Sequence, residues 1–263
     1  MIFGCCIDKI EDVSRVREAG YDYYEFSGAA LAAMSGREFQ LLQMETMAAR
    51  LPCLGLNSYS SGRPAIVGDG FDPGAARDYA ELVCARAAEL GVQTLGIGAP
   101  KARMLPGGYP RARADAQCRE FLGITAEVAS RYGIYVMLEA MHDRACSYLN
   151  TTREALDLLQ AAKLSGVGLV LDFYHMLAMG ESLDTVAMAA PWLLHTHIST
   201  CGADMSRGFP GLEDEELYRS ILRSLLAVDY DATMSVEAPF DEKRAPETLA
   251  MLRQIREELE AQG

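Results

Sequence analysis

Several things are missing from this sequence, and each absence excludes something. Basic residues are outnumbered, 24 Lys plus Arg against 37 Asp plus Glu, for a net charge of −13 at pH 7. A field of that sign repels phosphate backbones and anionic lipid, so generic nucleic-acid and membrane-surface binding are poor readings. No apolar run approaches the ~18–20 residues of a membrane span. The opening stretch Met1-Ile2-Phe3-Gly4-Cys5-Cys6-Ile7-Asp8 has no basic leader and ends at an acid, so it does not read as a signal peptide. The seven cysteines include no C-x₂-C pair. All seven are expected to be reduced, small core residues of a cytoplasmic protein. What remains is half apolar and 23% charged, an ordinary globular composition rather than a disordered or fibrous one.

What is present is an alternation of short apolar runs with amphipathic stretches. The runs are Ile2–Ile7, Asp22–Phe26, Cys53–Asn57, Thr94–Gly98, Ile134–Glu139, Gly168–Asp172, Leu193–Ile198 and Thr233–Glu237. The helical stretches that follow them cover about 8–19, 36–50, 72–90, 111–132, 152–163, 183–190, 214–226 and 246–259. Near-continuous apolar strands such as Val167-Gly168-Leu169-Val170-Leu171 suit burial on both faces of a parallel sheet. Strand then helix, eight times in about 250 residues, predicts an α/β protein: a single-domain (β/α)₈ TIM barrel spanning 1–263. An open dinucleotide-binding sheet would carry a glycine-rich turn after its first strand. Here that turn is Ile7-Asp8-Lys9-Ile10, and Gly96-Ile97-Gly98 lies inside the fourth strand, where it reads as close packing.

Functional groups of such barrels sit at the C-terminal strand ends. The last four strands end in Glu139, Asp172, His197 and Glu237. Converging carboxylates repel one another, so a divalent cation is their natural partner. Three oxygens and one imidazole suit Mn²⁺, Mg²⁺, Co²⁺ or Zn²⁺, and the lack of a thiolate argues against a structural zinc. His175 can ligate, carry a proton or hydrogen-bond substrate. His195 shares the parity of His197 and is expected one layer lower, supporting it. His142 sits in the loop after the fifth strand, facing either the pocket or solvent. Arg207, in a long loop after the seventh strand, can bind a substrate oxygen. Lys101 and Arg103 form a local positive spot for which a solvated loop is at least as good a reading. Glu25 points toward the mouth by its position and ranks low as a site residue.

Five short pieces taken together carry a resemblance: Leu138-Glu139-Ala140-Met141, Leu171-Asp172-Phe173-Tyr174-His175-Met176, His195-Thr196-His197-Ile198-Ser199, Arg207-Gly208-Phe209-Pro210-Gly211 and Tyr230 to Ala238. In their order and spacing the chain resembles the sugar phosphate isomerase/epimerase family of xylose-isomerase-like barrels. That family includes ketose 3-epimerases, hydroxypyruvate isomerases and inosose-processing enzymes. The resemblance implies metal ligands at Glu139, Asp172, His197 and Glu237, and substrate binding by His175 and Arg207; His142 is added as a substrate-binding candidate by its position after the fifth strand. It implies one divalent ion, Mn²⁺ foremost, and a small carbohydrate or hydroxy-ketone substrate. It implies an isomerase or epimerase in which Glu139 and Glu237 move a proton at the carbon next to a carbonyl, through an enediolate. A dehydratase acting on a cyclic polyol such as an inosose, or a non-catalytic sugar-binding barrel, are the alternatives. Ketose epimerases carry an Asn in the loop after the first Glu and a second Glu six residues past it; here those places hold His142 and Ala145. Related nucleases of abasic DNA place extra histidines on early strands, whereas all four histidines here lie at or after position 142. The chain is thus expected to bind neither nucleic acid nor membrane, and the reading is compatible with a homo-oligomer.

Overall fold

The apolar runs are parallel strands of one closed barrel. The computed structural model describes residues 1–262. The strands are β1 (Ile2–Ile7), β2 (Tyr23–Ser27), β3 (Cys53–Asn57) and β4 (Thr94–Ile97), then β5 (Tyr135–Glu139), β6 (Val167–Asp172), β7 (Leu193–Ile198) and β8 (Thr233–Val236). Each pairs with its neighbour in sequence, and β8 closes on β1. The single-domain (β/α)₈ TIM barrel read from the alternation is the fold. Every residue of β6 is buried, as a strand between an outer helix and the barrel interior must be.

Local chemistry sets the helix ends. Asp72 caps Pro73–Leu90 by accepting from the Gly74 and Ala75 amides, and Gly91, at φ +81°, ends that helix in the left-handed conformation. Thr151 and Glu154 form a capping box at the start of Thr152–Ala162.

The helix expected from residue 8 begins only at Asp12, because Asp8, Lys9 and Ile10 stay in the loop that forms part of the mouth. The helix expected over 183–190 is Thr185–Ala189, and a further, unexpected helix, Phe173–Ala178, precedes it. The unexpected one starts directly at the end of β6, where Asp172 Oδ1 accepts from the Tyr174 amide at 2.8 Å. A helix at Gly28–Ala33, capped by Ser27, has too few residues for a period to show. An antiparallel pair of two-residue strands, Thr200–Cys201 and Arg207–Gly208, stands after β7.

All seven cysteines are free thiols and six are buried, but Cys201 is exposed on that hairpin and is not a core residue. Among the described residues no helix is long and apolar enough to cross a membrane.

The barrel interior is filled by setting large side chains against glycines on neighbouring strands. Gly4 lies opposite Tyr23, Gly55 opposite Glu25, and Gly98 against Glu139. The Tyr23 hydroxyl is tied to Ser235 Oγ at 2.8 Å, so its ring has little freedom to move. A β-carbon at Gly4 would fall 2.5 Å from that ring. Gly4→Ala is therefore expected to destabilise the barrel by about 1–3 kcal/mol. At roughly 2–4 °C per kcal/mol for a chain of this size, calorimetry will resolve the drop in Tm. An unchanged Tm would mean that the ring is not fixed.

Candidate active site

The last four barrel strands deliver their terminal side chains to one place. Asp172 and His197 are direct cross-strand partners on β6 and β7. Glu139 is the last residue of β5. Glu237 follows β8, and its amide donates to the Ile198 carbonyl at 2.9 Å, which extends the parallel pairing by one residue. One ligand atom from each of Glu139, Asp172, His197 and Glu237 lies within 4.8 Å of all the others. The first three are buried and Glu237 is partly so. Gly98 makes room for this cluster, because a β-carbon there would collide with Glu139 Oε2.

This much negative charge, held away from water, moves every nearby proton affinity. Burial, followed by the charges of Glu237 and Asp172, pushes the Glu139 carboxyl up from 4.5 to about 8. Burial would lower His197, but the carboxylates of Glu25 and Glu237 outweigh it and raise the ring to about 10. Burial would likewise raise Asp172, yet Arg207, His175 and His197 hold it well below the usual carboxylate range. His175 is driven down to about 3, by burial first and with Arg207 and the buried Arg103 contributing, so its ring is neutral at physiological pH.

Arg207 is the main internal counter-charge. Its guanidinium lies 2.6 Å from Asp172 Oδ2, 3.1 Å from Glu237 Oε2 and 2.9 Å from His175 Nε2. It stacks on the Tyr174 ring at 4.0 Å, and the Tyr174 hydroxyl donates to the Met205 carbonyl at 2.8 Å. The backbone amide of His142 donates to His175 Nδ1 at 3.2 Å. These groups, with Asn57, Gly98, Ala145 and Phe240, line a cavity of about 710 Å³ over the cluster.

Two observations fit a cation to the cluster. Glu139 Oε1 and His197 Nδ1 are buried and have no hydrogen-bond partner. The three carboxylates have one guanidinium among them, which leaves Glu139 with a raised proton affinity. A second group, Cys6, Glu25 and His197, also brings three ligand types together. Burial, then Glu25 and Glu237, raises the Cys6 thiol well above its ordinary value in the metal-free chain.

Each residue singled out from the sequence has a definite place. His142 and His175 are buried against the cavity, not on the surface. His195 is inside the barrel, its Nε2 2.7 Å from Glu25 Oε1. Glu25 does not face the mouth; it is fully buried beneath His197. Arg103 is not on a solvated loop but fully buried, whereas Lys101 is exposed. Sequence reasoning missed Asn57, whose amide donates to Glu237 Oε1 at 2.9 Å, and gave no role to Tyr174. The signal for Asn57 was available, since it ends β3 as Glu139 ends β5.

The family model described as xylose isomerase-like TIM barrel matches residues 13–255. The chain belongs to this family. As a xylose isomerase-like barrel it is 27% identical over 247 residues to the ketose 3-epimerase of Arthrobacter globiformis, covering 91% of this chain and 81% of that protein. Its fold matches D-psicose 3-epimerase with D-tagatose from Clostridium cellulolyticum H10, with TM-score 0.83 at 17% identity over 97% of this chain and 99% of that one. It also matches the IOLI protein with a bound zinc atom, with TM-score 0.72 at 18% identity over 100% of this chain and 99% of that one.

A pH dependence follows for the metal-free chain. Glu139 and His197 both bind a proton more tightly when folded, so the folded state holds more protons and loses stability as the pH rises. The Glu139 share is fully present below about 4.5 and lost through about 8; the His197 share is present below about 6.5 and lost through about 10. The Tm in chelator is expected to fall steadily from about pH 6 to about pH 9. Glu139→Gln, which cannot ionise, should flatten the lower half of that fall. A wild-type Tm that rises across this range would contradict the charge distribution described.

Proposed function

We propose that this barrel is a divalent-metal-dependent isomerase or epimerase of a small ketose or hydroxy-ketone, working by proton transfer at the carbon next to the carbonyl. The observation that carries the reading is the meeting of Glu139 and Glu237 at the floor of one cavity, from strands three places apart around the ring. Two carboxylates entering from different sides can serve one carbon as base and acid. The similarity to a ketose 3-epimerase over most of both chains supports a carbohydrate substrate.

Glu139, Asp172, His197 and Glu237 would hold the ion. A divalent cation there supplies Lewis-acid stabilisation of the negative charge that develops on substrate oxygens, and Mn²⁺ heads a choice that includes Mg²⁺, Co²⁺ and Zn²⁺. One of Glu139 and Glu237 takes the proton from carbon. The other returns a proton to the opposite face, which inverts the carbon, or to the neighbouring carbon while the hydroxyl proton passes from one oxygen to the other, which moves the carbonyl. Arg207, fixed between Asp172, Glu237 and the Tyr174 ring, presents N–H groups to a substrate oxygen without first having to be ordered. His175 is neutral and so acts as a hydrogen-bonding group, not a second fixed positive charge. Ala145 leaves open a stretch of cavity wall, so selection among sugars falls to His142, Phe240 and the β1 loop.

Deuterium exchange tests this directly. In D₂O with added Mn²⁺ and a panel of ketoses, hydroxy-ketoacids and inososes, the wild type is expected to place deuterium on the carbon beside the carbonyl. Glu139→Gln and Glu237→Gln should each reduce that exchange by about 10²–10⁴-fold. Exchange at the normal rate in either variant would remove the assignment. Loss of water in the product would point to a dehydratase, and sugar binding without exchange to a non-catalytic barrel.

A further inference from the structure

We propose that Glu25 is a positioning residue: it fixes which ring nitrogen of His197 faces the carboxylate cluster. The inference rests on the functional reading above in taking that cluster, and not the group below it, as the place of the cation.

His197 belongs to both groups. Its Nδ1 faces upward, 3.6 Å from Glu237 Oε2, and has no hydrogen-bond partner. Its Nε2 faces downward, 3.2 Å from Glu25 Oε1 and 3.8 Å from Cys6 Sγ. A carboxylate can only accept, so the nitrogen beside Glu25 must carry the proton. The proton that a cation displaces is then the one on Nδ1, the nitrogen that looks into the cluster, and the lone pair is freed there. With the opposite tautomer a lone pair would face a carboxylate oxygen below, and an N–H would occupy the direction a cation needs.

Glu25 is itself held on several sides. The same Oε1 lies 2.7 Å from His195 Nε2, and His195 is anchored through Nδ1 by Thr233 Oγ1 at 2.6 Å. Across the strand pair, Gly55 provides the space: a β-carbon there would come 2.7 Å from Glu25 Oε2. The chain Thr233–His195–Glu25–His197 therefore ties a ligand candidate to the backbone of three barrel strands. Carboxylates placed behind a ligating histidine orient the ring and strengthen it as a ligand. The group of Cys6, Glu25 and His197 is the rival place for an ion. There Glu25 Oε2 also lacks a partner, but its Oε1 already lies against two imidazoles, and the upper cluster offers three carboxylates where the lower offers one.

The test combines ring-nitrogen NMR with calorimetry. In the metal-free wild type, two-bond ¹H–¹⁵N spectra are expected to show a slowly exchanging proton on His197 Nε2. With Zn²⁺ bound, Nδ1 should show the shift of a ligating nitrogen while Nε2 keeps its proton. Glu25→Ala should expose that proton to exchange and mix the tautomers. It should also weaken Zn²⁺ and Mn²⁺ binding to the metal-stripped chain by about 10–100-fold. Glu25→Gln, which keeps a carbonyl acceptor of the same shape, should recover part of both effects and serves if the alanine variant does not fold. Cys6→Ala should bind the ions as the wild type does.

Unchanged Nε2 protection and unchanged affinity in the Glu25 variants would overturn the proposal. So would a loss of affinity in Cys6→Ala equal to that of Glu25→Ala, because the ion would then sit in the lower group. A wild type that binds no cation would sink the functional reading instead, and the Nε2 spectrum of the metal-free chain would still decide the role of Glu25.

Discussion

Like charges forced together out of water set the terms for this site. Three carboxylates and an imidazole within 4.8 Å at the floor of a cavity cannot all hold their ordinary protonation states. Arg207 pairs with both Asp172 and Glu237. Glu139 has no direct ion pair with Arg207 and feels it from farther off, so burial and the neighbouring carboxylates prevail and its proton affinity rises while that of Asp172 falls, although both are buried at the ends of adjacent strands. The imbalance gives the cluster its capacity for a cation.

The packing around the cluster follows from the same demand. Charged side chains can stand inside a barrel only where the opposing wall is thin. Gly98 and Gly55 thin it beside Glu139 and Glu25. Beneath, the imidazoles of His195 and His197 flank what would be an isolated buried acid, and Thr233 Oγ1 holds His195 in place. Framework and chemistry therefore share residues: the glycines that let the staves close also let the carboxylates in.

The framework could be read from the sequence because two-sided burial writes long apolar runs, and the runs at Cys53–Asn57 and Leu193–Ile198 coincide with their strands residue for residue. The convergence of Glu139, Asp172, His197 and Glu237 was legible for the same reason, since the strand period of two and the common direction of parallel strands fix where strand ends point. What was not legible depends on distances between strands. Glu25 looks like a mouth residue by count, but it is fully buried with its Oε1 against both His195 and His197. Arg103 looks like a loop cation, yet its short 3₁₀ turn folds it inward. Helix Phe173–Ala178 was passed over because it follows β6 with no intervening turn signal.

Arg207 hangs from a two-stranded hairpin that is no part of the barrel wall. The ligand candidates are anchored in staves whose alteration would break the fold, while the guanidinium that shares their charge rides on a loop that can be lengthened, shortened or replaced. Changes in that loop would move the guanidinium without disturbing the staves that carry Glu139, Asp172, His197 and Glu237.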